Sequence, residues 1–126
     1  MKKTVHSVIE KVTVREFKEN RKTLLARHFV PSEIEELHTR SDKTASGLLA
    51  VKKALVLLCK NISPQSSFTE QSFQLSHELN GAPCIIAFPQ ISTGSKKIPN
   101  EDFYISITHN RSNAYGLAAF QEKGNE

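Results

Sequence analysis

Lys52 and Lys53 are the only charges between Gly47 and Cys59, inside the run Gly47-Leu48-Leu49-Ala50-Val51-Lys52-Lys53-Ala54. An ammonium set in apolar surroundings has two uses. It can meet a phosphate as a compact point charge, or its long stem can carry it out to water with no chemistry at all. Both uses stay open for this pair. His109 closes the alternating stretch Phe103 to His109. An imidazole there can move protons near neutral pH, or it can simply cap a hairpin. His6, His28, His38 and His77 have no partner at metal-ligand spacing and read as surface or structural side chains. Cys59 and Cys84 lack a CxxC neighbour. Two buried free thiols are expected, because a reactive thiol needs a basic, exposed setting, and only Lys60 beside Cys59 hints at one.

The charge is unevenly placed. Residues 1–30 carry eight Lys/Arg against three acids, a larger surplus than the +4 of the whole chain. A basic face favours acidic partners such as phosphates, nucleic acid or an acidic protein. A solvated helix face is the competing reading. Arg15, Lys18 and Lys22 are the partner-binding candidates on that helix.

These side chains need elements to hold them. With 126 residues, 38% hydrophobic and 24% charged, the chain reads as a single domain, 1–126, with a modest core. No apolar run approaches a membrane span. The basic start Met1-Lys2-Lys3 is followed by a stretch broken by His6, Glu10 and Lys11, a poor signal-peptide core, so a cytoplasmic location is expected. Val5 to Val12 reads as a strand. Thr13 to Arg27 reads as one helix, with Val14, Phe17, Leu24 and Leu25 on its apolar side. Ser32-Glu33-Ile34-Glu35 matches a capping box, with Ser32 and Glu35 as the reciprocal pair, opening a helix that ends near Arg40. Thr44 to Lys60 is apolar nearly all round, as a buried helix must be. Phe73 and Leu75 alternate into a strand, Asn80-Gly81 signals a hairpin, and Cys84 to Phe88 returns. Residues 90–100 read as a polar loop, and Lys123 to Glu126 as a loose tail. Phe103, Ile105, Ile107 and His109 share one strand face, Asn110 to Asn113 turns, and Ala114 to Phe120 returns. The order is strand, three helices, four strands, which is an α+β pattern.

Several segments, in order, resemble holo-acyl-carrier-protein synthase of the 4'-phosphopantetheinyl transferase superfamily. The helix Gly47 to Ala54 resembles its Gly-Arg-aromatic-Ala-Ala-Lys-Glu-Ala signature. Asn80-Gly81-Ala82-Pro83 resembles its Asn-Gly-Lys-Pro turn. Ile105-Ser106-Ile107-Thr108-His109 resembles its closing Ser-Ile-Ser/Thr-His strand, and Phe29 to Ile34 resembles its helix entry. The resemblance implies an α+β subunit that assembles as a trimer with sites between subunits. It implies transfer of phosphopantetheine from coenzyme A to a serine of an acidic acyl carrier protein, in fatty-acid or polyketide biosynthesis. A magnesium ion held by carboxylates would stabilise the departing charge. By resemblance, Lys52, Gly81, Pro83 and His109 bind the cofactor, and His109 and Lys53 are the catalytic candidates.

The departures cluster at the metal. Lys53 stands where the family has a glutamate ligand, and a gap-free count puts Ser7 where it has a first-strand aspartate. Leu57 and Ala82 replace two further lysines. Magnesium is therefore expected to be lost, with no metal ligand named. The favoured function is a divergent, synthase-like protein that binds coenzyme A or an acidic carrier, with its metal-dependent chemistry lost or altered. An active transferase is the alternative. A small basic nucleic-acid-binding module is a third reading, disfavoured by the absence of Trp and of any stacking platform. No membrane partner is expected.

Overall fold

A computed structural model describes residues 4–65, 67–93 and 96–122. The basic start and the expected tail Lys123 to Glu126 lie outside the described residues. Strand β1 (Thr4–Thr13) is followed by helices α1 (Val14–Glu19), α2 (Arg21–His28), α3 (Pro31–Leu37) and α4 (Asp42–Ile62). Then come strands β2 (Gln74–His77), β3 (Pro83–Ala87), β4 (Ile91–Thr93), β5 (Lys96–Ile98), β6 (Phe103–His109) and β7 (Asn113–Glu122). The class is α+β, as the segregated pattern implies.

The main sheet is antiparallel in the order β1-β7-β6. Its register aligns Val12, Glu10, Val8 and His6 of β1 with Ala114, Gly116, Ala118 and Phe120 of β7. His109, Ile107, Ile105 and Phe103 of β6 complete those rows. Residues directly opposite share a face, so all of these side chains point one way. Helix α4 covers that face. Gly116 allows the contact: a Cβ there would lie 2.2 Å from the Val51 nitrogen and 2.3 Å from the Ala50 carbonyl carbon. Helix and strand backbones therefore touch at this point. The almost wholly apolar α4 follows from its place, between this sheet and the helices and hairpin on its other side. A run of ring contacts, Phe73–Phe88–Phe103–Phe120, ties the β2–β3 region to the main sheet.

Three boundaries differ from the sequence reading, each for a local reason. The first helix is two. Asn20 breaks it, its side-chain amide donating to the Glu16 carbonyl (2.9 Å) in competition with the backbone. The cap of α3 is made by Glu33, whose Oε1 accepts the Val30 N–H at 2.9 Å. The Ser32 hydroxyl is instead bonded by Gln74 (2.8 Å). Pro31, which has no N–H to satisfy, takes the first helical position. The stretch read as a polar loop holds the short hairpin β4–β5, paired from Ile91↔Ile98 to Thr93↔Lys96. Ser41 caps α4, accepting the Thr44 N–H at 3.1 Å. Among the described residues no helix is long and apolar enough to cross a membrane.

Candidate functional site

Gly81, Pro83 and His109 line one cavity of about 480 Å³, which opens beside the edge strand β6. The β2–β3 turn supplies the first two. Gly81 has φ +88°, a left-handed conformation that favours glycine. Its N–H donates to the Glu78 carbonyl (2.8 Å), and Asn80 Oδ1 accepts the Ala82 N–H (2.9 Å). Pro83 then starts β3, opposite His77.

His109 comes from the end of β6. Its Nε2 lies 3.0 Å from the Lys43 carbonyl in the first turn of α4. Gly47 makes room for it: a Cβ there would sit 2.9 Å from His109 Nε2 and 2.7 Å from Ile107 Cγ2. The glycine of the α4 signature therefore positions the strand-end histidine. Arg40, Thr44, Ser106 and His77 line the same cavity, and among the described residues no acidic side chain does. A concave site with arginine, imidazoles and hydroxyls suits an anion, above all a phosphate.

Lys53 lies elsewhere. It is half-buried and faces a smaller cavity, about 200 Å³, with Lys11, Val12, Phe17 and Leu49 among its neighbours. Within one chain, then, the two catalytic candidates Lys53 and His109 do not meet. Ser7 is exposed on the outer face of β1. The acid facing α4 is Glu10, which pairs with Gly116 at the helix–sheet contact. Val8, Glu10 and Val12 are the inward row, and that alternation was in the sequence.

Lys52 corrects the expectation of a cofactor ligand. Its side chain is fully buried. The ammonium donates to Glu33 Oε1 and to the Phe73 carbonyl (2.8 Å), and sits 5.0 Å from the centre of the Phe29 ring. Glu33 Oε2 also accepts the Leu75 N–H at 2.8 Å. Burial pulls the Lys52 pKa down, and the Glu33 carboxylate works against that. The pair joins α3, α4 and β2, with both side chains closed off from solvent.

The basic helix face is also divided. Arg15 and Lys18 line an open cleft of about 740 Å³ with Arg111 of the β6–β7 turn and with the acids Glu16 and Glu19. Lys22 lines a separate depression with Arg27. Arg15 is itself paired with Glu19 at 3.0 Å. Cys59 is buried, which pushes its thiol up to about 12, and burial raises that of Cys84 too. Of the histidines read as structural, His28 pairs with Glu70 (2.6 Å), but His77 belongs to the main cavity. Nothing in the sequence marked Arg40 or His77, because the fold brings them to His109 from separate elements.

No family model matches the sequence, and no curated protein does. Solved structures do match the fold. The apo-ACPS of Chronobacterium ammoniagenes superposes with a TM-score of 0.73 at 14% identity, over 98% of this chain and 100% of that one. Bacillus anthracis holo-(acyl-carrier-protein) synthase in complex with CoA (3',5'-ADP) gives 0.68 at 12% identity, over 93% and 96%. The Helicobacter pylori enzyme with coenzyme A gives 0.60 at 18%, over 90% and 97%. From the inner face of β1 to the His109 cavity, this chain is built on the holo-acyl-carrier-protein synthase fold.

Proposed function

We propose that this is a divergent holo-acyl-carrier-protein synthase-like protein that binds coenzyme A through its phosphates, with magnesium-dependent transfer lost or altered. The observation that carries the reading is the cavity uniting Gly81, Pro83 and His109 with the cationic Arg40 and, among the described residues, no acidic side chain. Two structures of the same fold hold coenzyme A or its 3',5'-ADP part. A bisphosphate is the kind of anion such a cavity accepts.

The metal does not fit the residues present. The cavity beside β1 sets one carboxylate, Glu16, among two ammonium groups, Lys11 and Lys53, whereas a hard dication wants several oxygen ligands. At ~4 Å and an effective dielectric of ~20, a unit charge such as an ammonium repels each charge of a cation by ~4 kcal/mol. Lys53 instead supplies positive charge to a bound pyrophosphate. Lys53 and His109 line different cavities of one chain, and in this reading the coenzyme lies between subunits to touch both. The outer face of the main sheet supports such an assembly, a homotrimer in this reading. Val5 is 62%, Ile9 66% and Tyr104 56% exposed there, an apolar surface suited to burial against another copy. The Arg15–Lys18 cleft is the docking face for an acidic acyl carrier protein, and Lys22 contributes only long-range charge.

The test has two arms. Calorimetric titration with coenzyme A in EDTA is expected to show binding. Incubation with coenzyme A, apo carrier protein and magnesium is expected to leave the carrier's mass unchanged. A phosphopantetheine mass gain that disappears in Lys53→Ala would establish the alternative, an active transferase with a remodelled site. Salt-sensitive binding to RNA or DNA without coenzyme binding would favour the nucleic-acid module.

A further inference from the structure

His77 lines the cavity, yet its side chain is only 5% exposed. Its Nδ1 is fully buried and has no hydrogen-bond partner among the described residues. Beside it is Glu36 of α3, whose Oε1 lies 3.6 Å away, too far for a hydrogen bond but close enough to stabilise a charged ring. Glu36 is held in place from the same strand, since the Ser76 hydroxyl lies 3.1 and 2.9 Å from its two oxygens. The arrangement is a carboxylate behind an imidazole, with the ring on the wall of a cavity.

A neutral histidine gains little from this placement. One buried nitrogen goes without a hydrogen bond, which costs free energy. A protonated one faces Glu36 with Nδ1 and can donate from Nε2 to an acceptor in the cavity. We propose that His77, backed by Glu36, is a proton-linked phosphate-binding residue of this cavity, so that a phosphate-bearing ligand binds with uptake of a proton. This rests on the coenzyme reading for the ligand's identity, but not for its chemistry. Other charged groups around His77 are Arg40 after α3, His109 from β6 and the neighbouring Glu78. His109 is a second imidazole on the same cavity wall, so its variant serves as the control. Glu36 is not part of the cavity wall, so the imidazolium stands between it and the anion.

The experiment is calorimetric titration with 3',5'-ADP near pH 6 and pH 8, in two buffers of different ionisation enthalpy, for wild type, His77→Gln and His109→Gln. Phosphate monoesters also titrate near pH 6, so the comparison of wild type with variant carries the result. Near pH 6, wild type is expected to bind about tenfold more tightly than His77→Gln, the scale of one hydrogen bond to a charged group. Near pH 8 the two should converge. His109→Gln should keep the proton uptake. Equal proton uptake in wild type and His77→Gln overturns the proposal. A parallel measurement follows the His77 ring resonance in wild type as inorganic phosphate is added. A phosphate-dependent rise in the apparent pKa of that resonance, without 3',5'-ADP binding, supports the proposal and removes the coenzyme reading. An unmoved resonance together with no 3',5'-ADP binding removes both.

Discussion

Lys52 has no exposed side-chain surface, and it survives there because Glu33 is buried beside it with each carboxylate oxygen bonded. Removing one partner would leave a buried charge alone. Lys52→Met is therefore expected to cost about 3–5 kcal/mol, read from urea unfolding. Coenzyme affinity per folded molecule should be unchanged. A large loss of affinity in the folded fraction would return Lys52 to the ligand site. Cys59 makes a second prediction at this scale. Burial raises its thiol to about 12, from 9.0 for a free group. The folded state keeps this proton where the unfolded chain loses it. Its contribution to stability is present below pH 9 and is lost as pH rises toward 12. Unfolding free energy should fall over that range in wild type and fall less in Cys59→Ala. At pH 8 Cys59 should resist a thiol reagent until the protein unfolds.

Two glycines decide how the elements meet. At Gly116 a Cβ would strike the backbone of α4, and a helix cannot yield as a side chain does. Gly116→Ala is expected to cost about 3 kcal/mol, the upper end of usual overpacking, with its midpoint lowered in urea. At Gly47 the obstacles are the ends of Ile107 and His109, which can turn away. Gly47→Ala should cost about 1 kcal/mol of stability. It should lower 3',5'-ADP affinity much more than its stability loss suggests, since the His109 ring must leave the Lys43 carbonyl. Equal affinity in Gly47→Ala would remove His109 from the site. Element boundaries show why the sequence was only partly legible. The α1–α2 break at Asn20 is a local competition that one polar residue wins. The β4–β5 hairpin has only three residues per strand, too short for alternation to stand out.

For the molecule as a whole, the proposed assembly is tested by Ile9→Glu, which places a charge on the exposed outer face of β1. Sedimentation should shift from an assembly to a monomer, and coenzyme affinity should fall if the site lies between subunits. A wild-type monomer that binds coenzyme A at full affinity would place the whole site in one chain. The sequence alone determined the α+β class, the buried α4, the Asn80-Gly81 turn and the face of β6 that carries His109. Each is written in local periodicity or turn chemistry, which needs no distant contact. It also supplied the likeness to holo-acyl-carrier-protein synthases, carried by short motifs in order. Only the tertiary structure decided which residues share a cavity. Arg40, His77 and His109 come from a turn and two strands far apart in the chain, while the adjacent Lys52 and Lys53 part ways on α4. One turns to Glu33 and the other to the cavity beside β1, because neighbours on a helix point about 100° apart.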